Sequence, residues 1–420
     1  MISFWRIFSL EFTSLVRSKT LVLLTVASVG WMLALPYIAR GDGTEAGARE
    51  LYIHYSLGGV FVLLVVTLLA SATGAIASER AAKRLQLTMV RPVRYFAIAL
   101  GKILALVAAG AIVLAVSVGV LACRADLSRR CNHVLSPILP SPREEAKAMY
   151  ESYMKDPETP EAVKRTKKEI VVRLLTQRAV DHYQTVETNA TTSWRFGLSD
   201  LGEDIRALAV RMRFTNQMEM RQDVIGRFRL AEMTGVVSNI TQAVLEIPLA
   251  GPLPDASREA VLGFENSGKS ALMLRPRKDI NLLVPADPFL WNLLRAYLAL
   301  VAVLALIVSA GVFLSASLGR PVALFVAFVT LIVGEMSPSV VEQYPDELET
   351  KLADRIGLHI TRFAAEVTRP VSSLAPLESL AKDECVERTD VLRLVGLNLF
   401  ALPVALSLLA AFVLPRKQED

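Results

Sequence analysis

Val60-Phe-Val-Leu-Leu-Val-Val-Thr-Leu-Leu-Ala-Ser-Ala72 and Ala296-Tyr-Leu-Ala-Leu-Val-Ala-Val-Leu-Ala-Leu-Ile-Val-Ser309 decide the fold, because neither carries a charged residue. A core helix of a soluble protein keeps a polar stripe toward water. These two have none to speak of, so their solvent is lipid. Working outward gives the apolar runs Leu21–Ile38, Ile53–Ala77, Ile103–Ala122, Ala296–Leu318 and Leu392–Val413. Each meets the roughly 18 residues needed to cross a hydrocarbon core of about 30 Å. Pro321–Gly334 is shorter, and spans only if it runs on through Glu335 and Met336 or is buried among other helices. With 53% apolar residues in 420, the expected fold is an α-helical polytopic membrane protein. It has six transmembrane helices and an inserted extracytoplasmic α+β domain, a helical preface followed by a small β-sandwich.

Lys and Arg in short loops orient such a chain. The loop after the second run carries Arg80, Lys83, Arg84, Arg91 and Arg94 against the acid Glu79; Arg6, Arg17, Lys19, Arg320, Arg416 and Lys417 fall on the same side. The opposite loops balance Arg40 and Arg49 with Asp42, Glu45 and Glu50, and 337–390 is more acidic than basic. Both termini and the basic loop are therefore expected in the cytoplasm of a multi-pass cell-membrane protein. The net charge of +5 reads as this bias and not as a nucleic-acid surface. The expected division is 1–122 with the first three helices, 123–287 outside the cell, and 288–420 with the last three helices and an outer amphipathic loop at 337–390. No cleavable signal peptide is expected, since no convincing small-x-small site follows the first run. Trp5, Phe8, Phe12 and Leu15 share one helical face and Arg6, Thr13 and Arg17 another, which predicts an amphipathic helix in the cytoplasmic interface.

Cys123, Cys131 and Cys385 all fall on the extracytoplasmic side, where disulfides form. Cys123 with Cys131, Cys131 with Cys385, and no bridge at all are each compatible with the sequence. His54, His133, His182 and His359 lack metal-ligand spacing, so neither metal nor cofactor is expected.

In the outer domain, Glu161–Gln177 reads as a polar helix. Leu208, Val210, Met212 and Phe214 alternate with polar or small residues as a half-buried strand. Gly226–Leu230, Thr241–Leu249, Ala260–Phe264, Ala271–Leu274 and Ile280–Val284 are further strand candidates. Gly263-Phe-Glu-Asn-Ser-Gly268-Lys269-Ser270 matches the phosphate-binding pattern letter for letter. A phosphate loop must open a helix whose N-terminus faces the anion, and Ala271–Leu274 is too short before Pro276. Asn266-Ser-Gly268 is read instead as a hairpin turn. Between the fifth and sixth helices, Leu352, Ile356, Ile360, Phe363 and Val367 recur at helical spacing, the pattern of an amphipathic helix.

The cytoplasmic loop 79–95 reads Glu79-Arg80-Ala-Ala-Lys-Arg-Leu85-Gln-Leu87-Thr-Met-Val-Arg91-Pro92-Val93-Arg94-Tyr95, followed by Gly101-Lys102. It is a short charged element held between two membrane helices, so force applied to it passes into both. Here the chain resembles the permease subunits of type-2 ABC exporters, in Glu79-Arg80, Leu85, Leu87, Pro92-Val93 and Gly101-Lys102 at the family's spacing. It departs at Lys83 and Arg84, where Gly-Thr is usual, and at Tyr95, where Arg94 stands in for an arginine. The motif covers only part of the chain, and the 123–287 domain lies outside it.

The resemblance implies a membrane pathway formed by a homodimer or by a pair with a related permease. A separate cytoplasmic ATPase would grip the loop, so this chain itself is not an enzyme. In that scheme Glu79 and Arg80 pair with charges on the ATPase, Leu85 and Leu87 fill its groove, and Pro92 ends the coupling helix; Arg91 and Arg94 belong to the same coupling loop. Membrane lipids and an extracytoplasmic protein are further expected partners. Glu335 is the deepest acid in the spans, either a pathway residue or one at the outer interface. The alternative reading is a non-transporting scaffold or sensor whose β-domain binds an outer partner.

Overall fold

The computed structural model describes residues 2–39, 45–83, 94–125, 128–139, 142–156, 159–160, 166–197, 208–215, 222–230, 233–241, 244–249, 259–275, 279–343 and 375–416. The chain forms two units. Met1–Arg40, Arg49–Cys131 and Asp287–Asp420 make the first, and Gly41–Ala48 with Asn132–Ala286 the second.

The first unit is a helical bundle. Helix α1 (Ile2–Arg17) is separated from α2 (Thr20–Ile38) at Lys19, whose φ of 60° lies in the left-handed region. Next come α3 (Glu45–Gly74), the short α4 (Ala77–Ala81) and α5 (Tyr95–Arg124). After the second unit's insertion the bundle resumes with α8 (Phe289–Ser317) and α9 (Arg320–Gln343), then α10 (Ala375–Ala381). The last span is α11 (Arg388–Leu394), a π-helical stretch Val395–Ala401, and α12 (Leu402–Arg416). The π stretch has a local cause. Pro403 lacks an N–H and its ring clashes with the carbonyl four residues back, and the preceding turn widens so that Leu402 N–H bonds the oxygen of Leu397.

Among the described residues five helices are long and apolar enough to cross a membrane: Thr20–Ile38, Gly47–Ala81, Tyr95–Arg124, Phe289–Ser317 and Arg388–Leu414. The chain is a polytopic helical membrane protein with a β-rich unit. The expected sixth span falls on α9, which is helical over Arg320–Gln343 and whose described apolar stretch is Arg320–Val333, shorter than the other five. The amphipathic helix expected around Leu352–Val367 lies outside the described residues.

Helix α8 is the centre of the bundle, with 72% of its apolar window buried against 22% for α2 and 28% for the last span. Two glycines let its neighbours approach. A Cβ on Gly110 of α5 would fall 2.4 Å from Leu304 Cδ2 and 2.6 Å from Leu68 Cδ1; one on Gly311 of α8 would fall 2.9 Å from the Cβ of Ala72. Between lipid-soluble helices, this small-residue packing replaces the hydrophobic drive that operates in water.

The end of the bundle where α8 begins is fastened repeatedly. Cys131 and Cys385 form a disulfide. Asn292, fully buried, donates to Glu384 O at 2.7 Å and accepts from Val386 N–H at 2.8 Å. Asp287 accepts from Arg295 and, at 3.2 Å, from Arg388. The Arg295 hydrogen bond, with Arg388 beside it, holds the Asp287 carboxyl below its usual range. A depressed carboxylate stabilises the fold above its unfolded pKa of about 4, and that contribution is lost as pH falls through the lower folded value. The stability gap between the protein and its Asp287→Asn variant is therefore constant above about pH 5 and closes below about pH 4, from a plateau of about 1 kcal/mol. Melting curves of both from pH 7 to 3 measure it, and a gap unchanged at pH 3 contradicts the assignment.

The second unit has two layers of strand and a helical pair. One sheet runs β1-β10-β4-β7, from β1 (Arg130–Leu135), β10 (Ile280–Pro288), β4 (Leu208–Arg213) and β7 (Val244–Leu249). The other runs β3-β8-β5-β6, from β3 (Thr191–Gly197), β8 (Glu259–Asn266), β5 (Asp223–Leu230) and β6 (Met233–Ile240). Period-two burial in β5 and β8 places Val224, Phe228, Leu262 and Phe264 inward, in one core with Val210, Met212, Ile280 and Leu282 of the first sheet. This is a sandwich. Phe264 stacks on Phe228 at 4.6 Å between ring centroids. Helices α6 (Pro142–Lys155) and α7 (Lys168–Gln184) pack together over Ala146, Val171, Val172 and Leu175. The polar helix expected over Glu161–Gln177 is described over Lys168–Gln184, and 161–165 lie outside the described residues. The strand expected over Thr241–Leu249 is described over Val244–Leu249, and 242–243 lie outside the described residues.

The phosphate-loop lookalike is the end of β8 and the bend after it. No helix follows; β9 (Leu272–Met273) does, and it pairs with β2 (Thr185–Val186) and not with β8, so the turn is not a hairpin. Asn266 explains the local sequence. Its buried amide nitrogen donates to Val186 O, Glu187 O and Ser270 O, and its oxygen accepts from Gly268 N–H at 3.0 Å. Gly268 lets the chain fold back: a Cβ there would stand 3.1 Å from that oxygen.

Candidate functional site

The described ends of the 79–95 loop converge on a buried lysine. Glu79 lies on α4, one short turn after the bend that ends α3. Lys102, in the second turn of α5, is 3% exposed, and its Nζ sits 2.8 Å from Glu79 Oε1 and 3.1 Å from Glu11 Oε2 of α1. An ammonium taken out of water at such a depth needs close counter-charges, and two carboxylates supply them. Gly101 admits the helix that brings Glu11: a Cβ there would fall 2.9 Å from Ile7 Cγ2 and 3.5 Å from the backbone nitrogen of Phe8. The Gly101-Lys102 pair thus has a physical reading, with glycine making room for α1 and lysine holding it.

Arg80 turns to the other side. Its guanidinium donates to Ala316 O and Leu318 O, each at 3.0 Å, at the C-terminal end of α8. Helix ends leave such carbonyls unpaired, and a cation there is favoured by the helix dipole. In return Ser315 Oγ of α8 accepts from Ile76 N–H and Ala77 N–H at 3.0 and 2.9 Å, satisfying amides at the start of α4. Helices α4 and α8 therefore cap each other. Glu79, Arg80, Lys102, Glu11 and Ser315 together tie α1, α4, α5 and α8 at one end of the bundle. Both Glu79 and Arg80 are engaged within the chain.

Arg94, extended and exposed, leads into α5. Leu85, Leu87, Arg91 and Pro92 lie outside the described residues. Glu335 is in α9, and its side chain lies outside them as well. Of the three cysteines, Cys131 pairs with Cys385 and Cys123 is a free, exposed thiol.

Two partners escaped the reading of the sequence. Glu11 is the one acid in Ile2–Arg17, and that isolation on an otherwise apolar and basic helix was the available signal. Ser315 had none, since a serine near a helix end is ordinary. No family model, no curated protein and no solved structure matches the chain.

Proposed function

We propose that this chain is the membrane subunit of an ABC-type exporter, moved by a separate cytoplasmic ATPase that grips the 79–95 loop. The observation that carries the reading is the joint at Lys102. It fastens the segment before the loop to the helix after it, and Arg80 with Ser315 fastens the same segment to the central helix. A push on the loop is thereby delivered to α1, α5 and α8 together. With Glu79 and Arg80 used inside the chain, contact with the ATPase falls to the loop's apolar and basic residues, Leu85, Leu87, Arg91 and Arg94. The pathway needs a second permease, either a copy of this chain or a relative, and α9 completes six spans. Purification of the chain in mild detergent with its native partners tests this: an ATPase in equal amount supports it, and a folded chain without one contradicts it.

In this reading the basic end of the bundle is cytoplasmic and the disulfide end faces an oxidising compartment, a placement that Cys131–Cys385 supports. Cys123 is a built-in probe of that orientation. A membrane-impermeant maleimide added to intact cells labels one site, and Cys123→Ser abolishes the label. Labelling only after the membrane is opened overturns the orientation.

A second reading, a scaffold or sensor, draws on the exposed apolar pair Ile225 and Val236, diagonal neighbours on β5 and β6 at the edge of one sheet. It is favoured if an outer protein, and no ATPase, co-purifies.

A further inference from the structure

Between α2 and α3 lies a cavity of about 530 Å³, within the range of about 300–1,000 Å³ typical of small-molecule sites. Trp31 and the pair Gly58-Gly59 shape it. The Trp31 indole N–H donates to Tyr55 O at 2.9 Å, and its ring lies so close to α3 that a Cβ on Gly59 would fall 2.4 Å from Nε1. The aromatic ring is thus held close against a glycine surface, and the cavity beside it is lined by Ala27 of α2 and Leu63 of α3 among others. Val62, at 55% exposure, lies on the outward side of that cavity. In a membrane that side is lipid, so whatever enters comes sideways from the bilayer.

The lining is chemically uneven. Along α3 the wall from His54 to Leu63 is about 14 Å long at the helical rise, close to half of a hydrocarbon core of about 30 Å. Apart from its upper end it is apolar, and the Ser28 hydroxyl is buried in the wall. Apolar cavities of this kind stay dry. At the upper end, toward the loop that joins α2 to α3, stands His54, half-buried and edge-on to the Tyr55 ring at 5.3 Å. Its imidazole has no hydrogen-bond partner among the described residues, so it offers a donor and an acceptor near the start of the apolar run of α3.

We infer that this groove holds one acyl chain of a membrane lipid from the leaflet at the α2–α3 loop, with His54 hydrogen-bonding the ester or head-group oxygen. The inference rests on the membrane reading and not on transport, so it stands or falls separately from the ATPase. A chain seated there fills the space beside Trp31 and packs against both spans.

The test uses the purified full chain in bilayers containing a phospholipid with a photoactivatable diazirine on one acyl chain, and cross-linked peptides are identified by mass spectrometry. Labelling on 27–31 and 54–63 is expected to exceed that on the equally lipid-facing Leu408–Phe412. Ala27→Trp fills the cavity from its lining and reduces groove labelling to the level of Leu408–Phe412. Val26→Trp, one residue away and pointing to lipid, leaves it intact. Leu63→Trp serves as a second filling variant if Ala27→Trp alters the melting temperature. His54→Leu lowers the labelling without abolishing it. Equal labelling of groove and Leu408–Phe412, or groove labelling untouched by both filling variants, overturns the proposal. So do cross-links between Ala27 positions of two chains, which would make the cavity a contact between copies.

Discussion

Replacing both glutamates around the buried lysine, Glu11→Gln with Glu79→Gln, lowers the stability of the bundle by about 3–5 kcal/mol, the cost of stranding a buried charge. The Lys102 side chain is 4% exposed, while Glu11 and Glu79 are 27% and 33% exposed. The ammonium therefore depends on the carboxylates more than they depend on it. Either glutamate alone leaves one close counter-charge, so each single change costs less than half of the pair. Adding Lys102→Met to the double variant restores most of the loss, because a neutral chain of similar length fills the same space without a charge to compensate. Thermal unfolding of the wild type and the four variants in one detergent measures this. A double variant that melts with the wild type would mean that the joint does not hold these helices together. The same set separates stability from coupling: the triple variant regains its melting temperature yet lacks the charge link between α1, α4 and α5.

The second large effect is at Gly110. Leucine there places four carbons where the first already overlaps Leu304 and Leu68 by more than contact distance allows. Overpacking by a methylene or two costs about 1–3 kcal/mol, and here two helices would have to part along their centre. Gly110→Leu is expected to abolish the monodisperse folded species on size-exclusion chromatography. Gly119→Leu, on the same helix with nothing within 4 Å of its Cβ, is expected to leave it unchanged. Equal behaviour of the two variants would contradict the packing described around α8.

These two sites mark how far the sequence could be read. The five long spans were legible because lipid demands length and apolarity, and both are plain in a string of residues. The sixth was ambiguous for the same reason, since α9 is helical over 24 residues but apolar over little more than half of them. The Glu79-Arg80 and Gly101-Lys102 spacing was legible as a pattern, but its physical purpose was not: Glu11 stands 91 positions from Lys102, and no local periodicity connects them. The disulfide was legible only as one of the open pairings, because spacing could not choose between partners that are 254 residues apart and the alternatives. In the β-unit, strands with clean alternation such as Leu208–Arg213 and Glu259–Asn266 could be read. Thr191–Gly197 and Met233–Ile240 were missed because Thr, Ser, Asn and Gly interrupt the apolar series that marks a half-buried strand.

The most direct measurement is co-purification and ATP turnover of the tagged chain from its native membrane, beside a Leu85→Glu, Leu87→Glu variant matched in melting temperature. The predicted result is an ATPase present in equal amount with the wild-type chain and turning over ATP, and lost from the variant. A complex that survives both substitutions, or a well-folded wild-type chain that brings no ATPase with it, would contradict the assignment of this protein as an ATPase-coupled membrane subunit.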